Sequence, residues 1–530
     1  MTASTLHRRL FTATLAAVAA LALGAPTMAQ VPVVGAVVAI GGGSEQPELI
    51  KDILALAKGP ASRVAILNTA SSDPTKSGPA YQRFFQGLGV AQPTVVPLLE
   101  RAQAYEPTVL DAIGRADLVY VTGGNQIKLA QTLLDTPAHG ALLAAWQRGA
   151  VIAGTSAGAM VWGPRYLAAG ESRAALAGQP LDMRAGLGLL PRVVVDTHFG
   201  KENRMGRLLV AASQQTGLIG LGVDERTAAV IAPQSVRVLG EGRVTVLDYA
   251  QAQRPAKPGG PFGIRGIQLH LLGAGDSLRW TRDEAERHPM LPPRSPADAT
   301  LASLWLQGGP LPTSVGPSGL ANALFGARPG EVLILAGEGA TATAQRWQAA
   351  LQASGVGRTP ILSPAGIGRG DFVTAIGRAG AVLLLDDARW SLARALVGEP
   401  ARLLRSRAGV ISLAGAGSAV AIPGEAAIQA GAGEVAAGLR LAPSVIPAPD
   451  WMAEGAIDRL VVNALLAGGA LGVGLSPDSG VRVAGGTLTA QGASPVLVIQ
   501  SDRVSLANPT VPTARDLWLH VLAPGESFKP

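Results

Sequence analysis

The chain has 530 residues, 48% hydrophobic, 15% charged and 4% aromatic, with a formal net charge of +7 and no cysteine. That length exceeds what one hydrophobic core holds, so two domains are expected; the missing cysteines exclude a disulfide framework, a thiol nucleophile and a lipid-modified anchor cysteine. The arginines are scattered singly with few aromatics among them, which speaks against a nucleic-acid surface despite the positive charge. Gly (67) and Pro (38) make up about a fifth of the chain, below the roughly one quarter that marks low-complexity sequence, so a folded protein is predicted.

Residues 1–29 read as a signal peptide. Arg8 and Arg9 form a positive region, Leu10–Leu23 an apolar stretch, and Thr27–Ala29 a small-residue cleavage site before Gln30. The apolar run is short for a membrane span, and the Arg pair fits a twin-arginine signal loosely, so export by either the Sec or the Tat route is expected. The mature protein is then expected to be periplasmic or secreted, with no membrane partner.

Along the rest of the chain, landmarks recur in one order. Val64–Leu67 is matched by Val332–Leu335, Asp117–Thr122 by Ala381–Leu385, Arg148–Ile152 by Arg407–Ile411, Gly186–Leu189 by Gly438–Leu441, and Leu269–Gly275 by Leu519–Gly525. This pattern predicts two tandem copies of one domain, residues 31–290 and 300–530, joined by the Pro-rich stretch Arg282–Ala297. Short Val/Ile/Leu runs alternate with helical segments in both copies, which predicts an α/β fold with a mostly parallel sheet flanked by helices. Alternating residues around Val236–Val246 and Val496–Val504 predict antiparallel strands at the end of each copy.

The chemistry concentrates in the first copy. Gly154–Gly158 has the form G-x-S-x-G, between the apolar strand Ala150–Ala153 and the helix-like Ala159–Trp162. A sharp strand–turn–helix there lifts the Ser156 hydroxyl above the sheet and aims N–H groups of the helix start at a developing oxyanion. A second turn, Gly123–Gln126, follows the strand Val119–Thr122 at the same sheet edge, where α/β sheets gather their sites. The N–H groups of Ala157 and of Gly124 or Gly123 are the candidate oxyanion hole. Gly41–Gly43, after the strand Val33–Ile40, reads as a tight turn or pocket wall.

A serine nucleophile needs a base. His270 and His520 occupy matching repeat positions and read as structural, and His288 falls in the linker. His198, in Asp196–Phe199 after the strand Val193–Val195, is the candidate base. Its orienting acid is Glu225 or its neighbour Asp224, in Gly222–Glu225 after another short strand.

The order of elbow serine, Asp-x-His-Phe and Gly-x-Asp-Glu resembles the cyanophycinases and related aspartyl dipeptidases, over most of residues 33–280. The resemblance implies a flavodoxin-like fold of the class I glutamine amidotransferase type. It also implies a triad of Ser156, His198 and Glu225, and a pocket lined by Gln126, Asp196, Arg204 and Arg207. The substrate it implies is cyanophycin, a poly-aspartate backbone with arginine on each β-carboxyl, or a related aspartyl peptide. Guanidinium forks suit such carboxylates. The chain departs from the family pattern at Thr197, where glutamine is expected, and at Glu202, where an arginine is expected. Glu202 would repel a substrate carboxylate or hold a substrate guanidinium. No cofactor and no metal are implied, since one candidate histidine without ligand spacing makes a poor metal site.

In the second copy the catalytic positions fall on Gly415, Asp450 and Pro477. Arg204 corresponds to Ala456, and Arg207 to Arg459. This copy is expected to be catalytically dead, either packing on the first as an internal pseudo-dimer or holding polymer. Rival readings are a dipeptidase for small aspartyl or isoaspartyl peptides, a non-catalytic exported binding protein, and an α/β-hydrolase esterase. In that last fold the triad order would make His270 or His288 the base.

Overall fold

A computed structural model of the chain describes residues 35–214, 217–253, 260–280, 303–307, 330–364, 368–385, 391–406, 410–413, 427–428, 435–436, 439, 441, 445–453, 456–466, 470–500 and 513–530. The signal-like segment, the Pro-rich linker with His288, and Gly415 lie outside the described residues. The strands of the first half are β1 (Val37–Ile40), β2 (Val64–Leu67), β3 (Thr94–Val95), β4 (Leu118–Val121), β5 (Val151–Thr155), β6 (Arg165–Ala169), β7 (Asp182–Ala185), β8 (Val193–Asp196), β9 (Ile219–Val223), β10 (Thr227–Ala232), β11 (Ser235–Gly240), β12 (Val244–Asp248), β13 (Ile264–Leu272) and β14 (Ser277–Arg279). Those of the second half are β15 (Ser303–Gln307), β16 (Val332–Ala336), β17 (Ile361–Leu362), β18 (Ala381–Leu385), β19 (Val410–Leu413), β20 (Ala427–Ile428), β21 (Val435–Ala436), β22 (Val445–Pro449), β23 (Leu471–Leu475), β24 (Ser479–Ala484), β25 (Thr487–Gly492), β26 (Val496–Gln500), β27 (Ala514–Leu522) and β28 (Ser527–Phe528).

The first sheet has the order β14-β11-β10-β1-β5-β4-β2-β3. Its five strands from β1 to β3 are parallel, and β10, β11 and β14 extend it antiparallel. Parallel neighbours need crossovers, and the helices that make them cover both faces. Val38, Ile40, Ile66 and Tyr120 face the helices Pro47–Ala55 and Pro74–Gly87, while Val37, Ala39, Val119 and Val121 face Pro107–Arg115, Gln126–Leu133 and Pro137–Gln147. The period of two along each strand decides which core each residue joins. A second sheet of the second half runs β17-β16-β18-β19-β15-β24-β25-β28, again with a parallel run from β17 to β15 and an antiparallel end.

The antiparallel ends do not all extend these sheets. Strands β8, β9, β12 and β13 leave the first sheet and form a separate one with strands of the second half, in the order β22-β23-β26-β27-β13-β12-β9-β8. Its centre is the antiparallel pair β13–β27, in which Ile267 faces Leu519 and Leu269 faces Leu517. Each strand thereby covers an edge the other would expose. The helices Met205–Ser213 and Ala456–Leu466 pack on this sheet, and Leu208, Leu269, Leu460 and Leu519 share one core.

Candidate active site

Three peptide segments meet at the C-terminal edge of β1. The Ser156 N–H donates to the Ile40 carbonyl (3.0 Å), the His198 N–H to Gly41 (2.8 Å), and the Arg226 N–H to Gly42 (2.9 Å). Residues far apart in sequence are therefore indexed to a single turn.

Ser156 sits between β5 and the short helix Ala157–Met160 with φ 53° and ψ −122°, a conformation an L-residue holds only under strain. The flanking glycines explain how the turn fits. A Cβ on Gly154 would lie 2.3 Å from the Gly158 carbonyl oxygen, and one on Gly158 would lie 2.4 Å from that of Val121. The Gly123–Gly124 turn runs against Ser156: a Cβ on Gly123 would come 3.6 Å from its Oγ.

The Ser156 hydroxyl is 2.8 Å from His198 Nε2, and His198 Nδ1 is 2.8 Å from Glu225 Oε1. With a proton on Nδ1 donated to Glu225, Nε2 is left as an acceptor for the serine O–H. His198 also has positive φ (49°), and its imidazole packs on Gly42, where a Cβ would lie only 2.4 Å from Cε1. Glu225 has a second partner, Lys201, whose Nζ donates to both carboxylate oxygens (3.0 and 2.9 Å). The His198 hydrogen bond, and after it Lys201, hold the Glu225 carboxyl below its ordinary pKa, so it stays an anion beside the imidazole.

Asp224 does not reach His198. Its Oδ1 accepts the Gly200 N–H (2.9 Å) and its Oδ2 the Arg243 N–H (3.2 Å), and burial raises its pKa. His270 lies in β13, where its Nδ1 accepts the Asp516 N–H across the boundary between the halves (3.1 Å).

The profile of peptidase family S51 matches residues 37–239. The chain is 33% identical over 250 residues to the cyanophycinase of Trichormus variabilis, covering 46% of this chain and 84% of the relative. It is 32% identical over 272 residues to that of Synechococcus elongatus (49% and 83%), and 34% identical over 250 residues to that of Geminocystis herdmanii (45% and 92%). The chain belongs to the cyanophycinase family of serine peptidases. Among solved structures, a peptidase from an acI-B1 actinobacterium aligns with 24% identity over 47% of this chain and 98% of its own, at a TM-score of 0.34.

In this family member, the expected pocket residues form an ionic cluster. Asp196 is fully buried and accepts from Arg207 Nε (2.7 Å) and Nη2 (2.6 Å) and from Arg204 Nη1 (3.2 Å). Arg204 also pairs with Glu202. Two acids and two bases neutralise one another there. Gln126 turns its amide nitrogen to the carbonyls of Leu167 and Ala168 (3.3 and 3.0 Å), tying the Gly123–Gln126 turn to β6. Lys201 was not anticipated from the sequence. Its position three residues past His198 says little until β8 and β9 are known to be neighbours, which sets it over Glu225. Among the described residues, no group of three or more His, Cys, Asp or Glu side chains is arranged to hold a metal ion, and no helix is long and apolar enough to cross a membrane.

In the second half, Asp450 follows β22 with φ 47°, the conformation His198 has after β8 (φ 49°). Its carboxylate pairs with Arg173 of the first half (2.6 Å).

Proposed function

We propose that the protein is an exported hydrolase of cyanophycin or of a closely related aspartyl peptide, acting through Ser156, His198 and Glu225. The observation that carries this reading is the continuous hydrogen-bonded line from the Ser156 hydroxyl through His198 to Glu225. Ser156 Oγ attacks the carbonyl of an aspartyl residue as His198 Nε2 takes its proton, and Glu225 stabilises the imidazolium. The N–H groups of Gly124 and Ala157 receive the oxyanion. His198 returns the proton to the leaving amine, and water activated by the same imidazole releases the acyl group from Ser156.

Asp196, Glu202, Arg204 and Arg207, with Gln126 beside them, serve substrate recognition. A unit carrying both a carboxylate and a guanidinium can exchange partners with such a cluster, its carboxylate taking Arg204 and its guanidinium Glu202, without leaving a charge unpaired. Cyanophycin presents that combination along its length.

Residues 1–29 direct export, and the mature enzyme works in the periplasm or outside the cell. The second half is a degenerate copy that forms an internal pseudo-dimer with the first. In support, the sheet that ends in β3 and the sheet that ends in β17 follow the same strand order in chain sequence, and β8-β9-β12-β13 meets β22-β23-β26-β27 head to head in the third. Asp450 and Pro477 occupy the positions of the base and the acid.

The test is release of β-Asp-Arg from insoluble cyanophycin by residues 30–530, beside Ser156→Ala. Release by the wild type alone supports the nucleophile and the substrate together. If the wild type releases nothing yet reacts with a fluorophosphonate probe, the substrate assignment is lost and the serine peptidase stands. If it does neither, the triad assignment is wrong.

A further inference from the structure

Next to Phe199 and Asp224, the chain neighbours of His198 and Glu225, the two halves line a pocket whose wall also includes Asn203, Arg243, Trp451 and Asp458. It contains an ionic relay that starts in the second half. Asp458 stands in the first turn of the helix Ala456–Leu466, where the helix dipole favours an anion. It pairs with Arg243 Nη2, and the Arg243 side chain is only 14% exposed. Arg243 in turn sits with Nε 3.8 Å from Asp224 Oδ2.

Asp224 is the clamp on the base. Its carboxylate holds the N–H of Gly200, two residues past His198, to the start of β12, and the next residue along the chain is Glu225. One carboxylate thus fixes the spacing between the turn that carries the base and the strand end that carries its acid. Burial works against its ionised form, so it depends on Arg243 for countercharge. A guanidinium that is free to move would close on Asp224 Oδ2, which Nε already approaches to 3.8 Å, and turn the carboxylate that also holds Gly200 N–H, since charge-assisted pairs outbid neutral donors. Asp458 prevents this by holding the other face of the same guanidinium.

We infer that Asp458, contributed by the second half, is a positioning residue for the His198–Glu225 pair, acting through Arg243 and Asp224. The inference rests on the triad reading above. It gives the second half a defined part in the chemistry of the first.

The experiment measures the second-order rate of fluorophosphonate labelling of residues 30–530 at 25 °C. Circular dichroism and a thermal midpoint on each sample establish that every variant is folded at that temperature. D458N is expected to label about tenfold more slowly, the scale on which sub-ångström misplacement of a base reduces rate. D458E is expected to recover to within about threefold of wild type, because it restores the charge from the same helix turn. In an Arg243→Gln background, D458N is expected to cost nothing more, as residues acting in series are non-additive. Labelling of D458N at the wild-type rate overturns the inference, and so do losses from D458N and R243Q that multiply. Absence of labelling in the wild type itself would overturn the triad reading instead, with Ser156→Ala as the blank.

Discussion

Gly42→Ala tests how tightly the turn after β1 governs the base. Gly42 has φ 91°, so any side chain there costs about 1–2 kcal/mol of backbone strain. The larger effect is contact. A Cβ would lie 2.4 Å from His198 Cε1 and 2.6 Å from Nε2, whereas carbon atoms pack at about 3.5 Å. The imidazole must therefore retreat by about 1 Å. It cannot retreat without cost, since Nδ1 is held by Glu225 and the main chain of His198 is bonded to Gly41. The 2.8 Å contact between Ser156 and His198 then opens beyond hydrogen-bond range. Loss of that contact predicts a fall of about 10²-fold in turnover and in labelling rate, with the fold retained. Gly43→Ala is the control: φ is also positive (87°), but its Cβ would meet Glu225 Cβ at 3.1 Å, a clash that Glu225 relieves by moving a few tenths of an ångström, so the drop should be several-fold smaller. Side-by-side labelling time courses decide the matter. Gly42→Ala within twofold of the wild-type rate would refute the packing argument.

His270→Ala should keep its labelling rate while lowering stability by about 1–3 kcal/mol, read by urea unfolding, because the Asp516 N–H loses its acceptor at the join of the halves; loss of labelling in a folded variant would revive the esterase order of catalytic residues. Asp196→Asn should be more destabilising, by about 3–5 kcal/mol, since it strands two arginines against a fully buried site; a midpoint unchanged in urea would show that the cluster opens to solvent. Burial depresses His520 to a pKa of about 4, below the 6.5 of an unfolded histidine. It is therefore neutral when folded, and its Nδ1 accepts the Gly266 N–H. The unfolded chain binds the extra proton first, so stability is full above about pH 6.5 and falls by about 3 kcal/mol as pH drops towards 4. His520→Gln should flatten that slope in unfolding curves taken between those pH values, and an identical slope would assign the loss to other groups.

Local chemistry was written in the chain. The elbow at Ser156 is legible because Gly154 and Gly158 are required by contacts within a few residues and by the strand beside them, and a strand–turn–helix pattern reports such contacts directly. The parallel strands were legible for the same reason, since runs such as Val64–Leu67 between amphipathic helices have few ways to bury both faces. His198 and Glu225 were singled out through their motif order rather than their spacing, and the repeated landmarks led to the expectation that one domain pattern occurs twice.

The tertiary structure decided what depends on strand neighbours distant in sequence. That β8, β9, β12 and β13 leave the first sheet and continue through β27 into the second half follows from edge pairing, and edge hydrogen bonds carry no side-chain signature. Lys201 over Glu225, Arg173 against Asp450, and the Asp458–Arg243–Asp224 relay all lie across such pairings. Charged side chains in a sequence look alike whether they end in solvent or in a buried pair. Their roles are set by the low-dielectric enclosure that folding builds around them: Lys201 became visible once β8 and β9 were neighbours, the other two once the halves were seen together.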